Sequence, residues 1–232
     1  AVTAALRRLR EEDGAASIGR KIGFTNRGIW AEYGVYEPIW GDVYDATASE
    51  IPPDAVIRVS HLPEPKIEPE IVFGLAEDIH PGMDERAILG AIAWVAHGFE
   101  IVQSVFPGWR FAVADCIAGA GMHGALFVGP RFPLRAAERD RLFEALPAFS
   151  LTLYRNEGAI DTGRGANVLD SPLSALKHLA EVLGSDEFNP PLRAGELVTT
   201  GTLTRAFPVA AGEKWSTTLS GIDLPGLAVT IG

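Results

Sequence analysis

The sequence predicts an α+β fold with mostly antiparallel strand pairing, on three observations. Short runs rich in Val, Ile, Phe and Thr recur along the chain between Gly and Pro residues, as strands do. Helical spacing is confined to a few stretches that do not alternate regularly with the strands, as a parallel sheet would require. Apolar residues make up 47% of the 232, enough for a sizeable core, and no repeat, low-complexity tract or linker divides them. One domain spanning 1–232 is the expectation.

Taken in order, residues 1–12 read as a helix, with Leu6 and Leu9 on one side and Arg7, Arg8 and Arg10 on the other. A strand follows at 21–24. Thr25 or Asn26 is placed to cap a short helix through Tyr33, ended by Gly34. Pro38-Ile39-Trp40-Gly41 reads as a turn into a strand at 42–44. Residues 51–66 hold Pro52, Pro53, Pro63 and Pro65, and read as an extended connection with an edge strand at 56–59. The strand 66–73 comes next, then a helix over 84–97 from the spacing of Ile88, Ile92 and Val95, so that Glu100 opens the following strand. Ala118 to Gly124 is glycine-rich, without the strand-before, helix-after context of a dinucleotide or phosphate loop. A strand at 125–128, a charged helix over 134–146, a strand at 149–155 and a hairpin turn at Asn156-Glu157-Gly158 follow. Ser171-Pro172 opens the clearest helix, with Leu173, Leu176, Leu179, Ala180 and Leu183 as its buried stripe and Gly184 at its end. Strands at 197–200, 207–210, 215–219 and 227–231 complete the chain.

The net charge of −10 argues against a nucleic-acid partner, whose phosphates would be repelled. A single cysteine, Cys116, leaves no intrachain disulfide and suits a reducing compartment; it reads as a small buried hydrophobe. No apolar run approaches ~18 residues and no signal-peptide pattern opens the chain, so the expectation is a cytoplasmic protein without a membrane partner.

Chemistry concentrates in Lys66-Ile67-Glu68-Pro69-Glu70-Ile71-Val72-Phe73. In a strand, side chains at i and i+2 share a face, so Glu68 and Glu70 lie side by side among apolar flanks. Two adjacent buried carboxylates need positive charge, and a hard cation such as Mg²⁺ or Mn²⁺ supplies it; a solvated acidic face is the alternative. Glu100, alone in the apolar run Phe99 to Phe106, is placed to be a third ligand. Lys21 either extends to the surface or faces the carboxylates, where burial would lower its pKa and fit it to carry a proton. His123 in the glycine-rich stretch is either a general acid or base or a loop residue. Thr202 beside Gly201 is a candidate for substrate binding, and Gln103 is another if the strand after Glu100 is bulged. His61, His80, His97 and His178 lack ligand spacing, and Trp30, Trp40, Phe106 and Trp109 either wall a pocket or fill the core.

Four blocks carry a family resemblance: Gly19 to Asn26, Ile67 to Phe73, Glu100-Ile101-Val102 and Thr200 to Leu203. In this order they resemble the 2-oxopent-4-enoate hydratase and 4-oxalocrotonate decarboxylase group of the fumarylacetoacetate hydrolase superfamily. The resemblance runs from about Gly19 to the C-terminus, with less chain before that point than the family usually carries. It implies a fold like the C-terminal domain of that superfamily, a mixed β-roll or sandwich with the site in its mouth. It implies an active-site role for Lys21, a place near the substrate for Thr202, and Mg²⁺ or Mn²⁺ on Glu68, Glu70 and Glu100; a catalytic His123 and a substrate contact from Gln103 are expectations from the residues themselves. The implied activity is hydration of a small 2-hydroxy-2,4-dienoic acid to a 4-hydroxy-2-oxo acid in aromatic-compound breakdown. Decarboxylation of a 2-oxo-3-enedioate and carbon–carbon hydrolysis of an acylpyruvate are the alternatives, and a homo-oligomer is expected. Two departures stand out: Pro38-Ile39-Trp40-Gly41 replaces the hydratases' Pro-Asp-Phe-Gly, and Gly119 to His123 replaces a loop with Asp-Asn and serines. The first removes a carboxylate, which makes a metal-bearing binding protein without catalysis a rival reading.

Overall fold

A computed structural model describes residues 1–51 and 56–232; the start of the proline-rich connection, at 52–55, lies outside the described residues. In chain order the helices are α1 (Val2–Glu12), α2 (Trp30–Tyr33), α3 (Glu85–Gly90), α4 (Val113–Ala118), α5 (Arg139–Ala148) and α6 (Pro172–Gly184). The strands are β1 (Ser17–Gly23), β2 (Ile39–Tyr44), β3 (Ala48–Glu50), β4 (Val56–Ile57), β5 (Lys66–Leu75), β6 (Ile92–Val102) and β7 (His123–Val128). They continue with β8 (Phe132–Pro133), β9 (Ser150–Arg155), β10 (Gly158–Arg164), β11 (Leu197–Thr202), β12 (Phe207–Pro208), β13 (Lys214–Ser220) and β14 (Ala228–Ile231).

The larger sheet runs β2-β1-β11-β5-β6-β7-β3, with β12 also on β5 and β8 also on β6. The smaller runs β10-β9-β13-β14-β4. Pairing is mostly antiparallel, as expected, with parallel pairs at β1·β11, β3·β7 and β4·β14. Trp215 of β13 is fully buried in a core shared with Phe73 and Phe99 of the larger sheet and with α6. Burying such apolar surface at about 25 cal/mol per Å² is what holds the two sheets and the helices together.

The amphipathic α6 matches its expectation: Ser171 accepts from Leu173 N, Pro172 is the first helical residue, and the leucine stripe is buried. Asn156 and Glu157 both take positive φ, 49° and 71°, as the two-residue turn between β9 and β10 demands. The last four expected strands are present as β11 to β14, with ends shifted by one or two residues. Among the described residues, no helix is long and apolar enough to cross a membrane.

Three expectations are corrected. The helix predicted over 84–97 ends at Gly90, and β6 begins at Ile92, so Glu100 lies near the end of a long strand. Most of β6 is buried on both faces, and such a run cannot be told from a helix by spacing. On α1, Leu9 is 58% exposed while Thr3 is buried and Arg7 reaches Asp42. The inner face of α1 is thus chosen by an ion pair to the sheet. The helix predicted over 134–146 starts at Arg139, because Leu134 N donates to Ala93 O and stays with the sheet.

Candidate metal centre

On β5, Lys66, Glu68 and Glu70 share one face. The antiparallel register of β5 with β6 sets Glu68 directly opposite Glu100. On its other side β5 meets β11, where Thr199 pairs with Val72 but Thr202 pairs with Glu70: one extra residue, a β-bulge. Gly201 occupies the bulge with φ +102°, a conformation that favours glycine, and its freed N–H donates to Glu70 Oε2 at 2.8 Å. The Thr199 hydroxyl donates to the same oxygen. Pro69 fits between the two glutamates because its carbonyl takes Leu203 N at 2.9 Å. Its nitrogen therefore faces the broken part of the ladder, where no donor is needed.

Glu68, Glu70 and Glu100 each offer a carboxylate oxygen within 4.8 Å of the others. Glu70 and Glu100 are both 0% exposed, and Glu68 is half-buried. Among the described residues Glu70 Oε1 has no hydrogen-bond partner, and Glu100 Oε2 faces only the Lys21 ammonium, 3.1 Å away. Burial, and then the neighbouring carboxylates, push Glu70 well above the usual range; burial and Glu100 lift Glu68 to about 7, against the pull of Lys21. For Glu100, burial is outweighed by Lys21 and by His123, which hold it down at about 2. Three converging carboxylates, with Glu70 Oε1 left without a donor among the described residues, fit a hard divalent cation.

The cluster opens into a cavity of about 200 Å³, with Glu68, Glu70 and Lys21 in its wall. Lys21 Nζ donates to Gly121 O at 2.8 Å and stands 3.1 Å from Glu100 Oε2. Burial pulls the Lys21 pKa down, but Glu100, Glu68 and Glu70 outweigh it and the net shift is upward. That corrects the expected lowering: Lys21 is an ammonium here. Cys116, whose thiol burial pushes up to about 11, is a buried wall residue as expected. Thr202 also lines the cavity, with its hydroxyl donated to Thr204 O at 2.9 Å.

The structure does not bring every expected residue to the cavity. His123 opens β7, behind Glu100, with Nδ1 2.8 Å from Glu100 Oε1 and Nε2 2.9 Å from Thr47 Oγ1. The glycine-rich stretch before it is a tight turn with positive φ at Ala120, Gly121 and Met122, so His123 is fixed rather than free. The bulge beside Gln103 has its extra residue, Gly124, on β7 and not on β6; the Gln103 amide donates to His123 O at 3.2 Å and the residue does not line the cavity. Of the four aromatics, Trp109 lines the cavity; Trp30, Trp40 and Phe106 do not, and Phe24, Phe111 and Phe207 do. Lys66 and Arg205 also line it and went unnoticed in the sequence. Lys66 was legible there, two residues before Glu68 on the same face; Arg205 carried no signal.

His97 is buried beneath the centre, its pKa lowered to about 4 by burial against the bond to Glu70. Nδ1 lies 2.9 Å from Glu70 O and Nε2 2.9 Å from Thr217 Oγ1. A carbonyl only accepts, so the network assigns the proton to Nδ1, and the neutral ring ties the ligand strand to the second sheet.

No family model matches the chain. It is 30% identical over 224 residues to the 2-hydroxyhexa-2,4-dienoate hydratase of Comamonas testosteroni, covering 96% of this chain and 82% of that protein. It is 31% identical over 211 residues to the 2-keto-4-pentenoate hydratase of Paraburkholderia xenovorans (strain LB400), covering 90% and 74%. Among solved structures, it is similar to the 4-oxalocrotonate decarboxylase from Pseudomonas putida G7, complexed with magnesium and adipate. The TM-score is 0.86 at 27% identity, over 99% of this chain and 83% of that one.

Proposed function

This chain belongs to the 2-keto-4-pentenoate hydratase and 4-oxalocrotonate decarboxylase group of the fumarylacetoacetate hydrolase superfamily, and from that premise we propose a divalent-metal-dependent lyase. Its reaction is the hydration of a small 2-hydroxy-2,4-dienoic acid, which takes up one water to give a 4-hydroxy-2-oxo acid in aromatic-compound catabolism. The observation that carries the reading is the convergence of Glu68, Glu70 and Glu100 beside Lys21, with Glu68, Glu70 and Lys21 in the wall of one cavity. Mg²⁺ or Mn²⁺ on these three carboxylates would supply the positive charge against which a 2-oxo acid gathers negative charge. Lys21, held by Gly121 O, balances the substrate's anionic end from the cavity wall. Thr202 shapes the same wall, and Phe24, Phe111 and Phe207 give the carbon chain an apolar seat that limits water. His123 acts through Glu100, whose carboxylate it orients from behind.

Decarboxylation of a 2-oxo-3-enedioate is the second reading. It is favoured by the likeness to the decarboxylase complexed with magnesium and adipate, and by Lys66 and Arg205 as further cations lining the cavity. The reading includes a single catalytic domain, a homo-oligomer and a cytoplasmic setting; the lone buried Cys116 is in keeping with the last. Purified protein with Mg²⁺, assayed on a panel of 2-hydroxydienoic mono- and diacids for water addition and for CO₂ release, tests the activity. No turnover of any of them would overturn it. Light scattering should give a mass of at least twice 24.8 kDa; the monomer mass would refute the oligomer.

A further inference from the structure

Thr25 stands just past the end of β1, where the chain turns along the cavity wall. It is 1% exposed, and its hydroxyl has no hydrogen-bond partner among the described residues. A hydroxyl can rotate toward any group in reach, and buried ones nearly always find a partner. One that lines a cavity and has none is aimed at something that enters it.

The surrounding backbone prevents any other use. Phe24 takes φ +55°, strained for a bulky residue, and its carbonyl accepts the Trp30 indole N–H at 2.7 Å. The Thr25 carbonyl accepts Leu169 N at 3.1 Å. With both carbonyls pinned, the backbone holds Thr25 in place in the cavity wall. Gly201 backs onto it so closely that a methyl group there would collide with the Thr25 hydroxyl. Gly201 N–H is the donor that fixes Glu70. The unused hydroxyl therefore sits beside the carboxylate cluster and not at the cavity's outer rim.

We infer that Thr25 is a substrate-binding residue whose hydroxyl donates to the carboxylate end of a small 2-oxo acid. The inference rests on the proposed function in one respect, that such an acid occupies this cavity. An anionic oxygen accepts from a neutral hydroxyl strongly, and Thr25 adds no charge to a wall that already holds Lys21.

Thr25→Val keeps the shape and deletes the hydroxyl, and Thr25→Ser keeps the hydroxyl. The experiment is isothermal titration of oxalate, a planar mimic of a 2-oxo acid, into the Mg²⁺-loaded proteins, with Mg²⁺ titration alone and melting without oxalate. Thr25→Val should weaken oxalate by about 10-fold or more, leave Mg²⁺ affinity unchanged, and melt no lower than the parent, since it breaks no bond. Thr25→Ser should bind within about 3-fold of the parent. A valine variant that binds oxalate like the parent overturns the inference. So does one that loses oxalate only together with Mg²⁺ affinity and melting temperature, the pattern of a structural role. A parent that binds Mg²⁺ but no oxalate overturns the reading of the site itself, and this inference with it.

Discussion

Glu70→Gln should stabilise the metal-free protein and at the same time blunt its response to Mg²⁺. Glu70 is 0% exposed; Oε2 accepts from Gly201 N and the Thr199 hydroxyl, while Oε1 has no donor among the described residues, and the carboxylate converges with those of Glu68 and Glu100. A glutamine oxygen keeps the first two bonds, and its amide nitrogen gives the other two carboxylates a donor. Leaving a buried acceptor unsatisfied costs about 1–3 kcal/mol. Taking about 2 kcal/mol, and about 2–4 °C per kcal/mol for a chain of this length, the variant in EDTA should melt roughly 4–8 °C above the parent. In Mg²⁺ at ~100 times its dissociation constant, the parent gains about 2.7 kcal/mol, or roughly 5–11 °C. A variant binding ~100-fold more weakly gains only about 0.4 kcal/mol at that concentration, so its melting point hardly moves. Scanning calorimetry with EDTA and with Mg²⁺ reads both numbers. A variant that melts below the parent in EDTA and climbs as far with Mg²⁺ would mean that Glu70 is a structural hydrogen-bond acceptor and no ligand.

Lys21→Met should lower kcat/KM by ~10²-fold or more through loss of a cation facing the substrate; steady-state kinetics at saturating Mg²⁺ would refute this with a parental value. His123→Leu should weaken Mg²⁺ binding by about 10–100-fold, because the ring orients Glu100 from behind. Equal affinities by calorimetric titration would show that Glu100 holds its place unaided. Arg20→Met breaks a buried network in which Arg20 meets Asp42 at 3.0 Å and Glu196 at 3.6 Å. Because Asp42 keeps Arg7 and Glu196 is partly exposed, the loss should cost about 1–3 kcal/mol, seen as a lower urea midpoint; an unmoved midpoint would show the network to be dispensable.

The three carboxylates were legible in the sequence because two lie at i and i+2 of one strand and the third is alone in an apolar run. Lys21 was legible as a position but not as a charge state, since that depends on how many carboxylates surround it. The glycines before His123 suggest a free loop, whereas Gly121 lets the backbone approach Lys21 closely and locks the turn. Thr25 read as a helix cap, a use that Asn26 takes through Gly28 N. Its other use required knowing that Phe24 twists the chain and that Gly201 comes up behind it, contacts far apart in sequence.

The facing of Glu68 and Glu100 across the β5·β6 ladder also decides which changes of chain length the protein can survive. A deletion of one residue within β5 would exchange its two faces, sending glutamates toward the core now filled by Ile67 and Ile71 and isoleucines toward the cavity. No substitution elsewhere could compensate for that. The stretch 76–91 between the two strands carries no such parity, and although Ile79, Ile88, Leu89 and Ala91 belong to the core, the turn at 80–82 is exposed. Insertions and deletions among descendants of this sequence should therefore gather at the exposed turn 80–82, leaving the lengths of β5 and β6 fixed by the counting rule of a pleated strand.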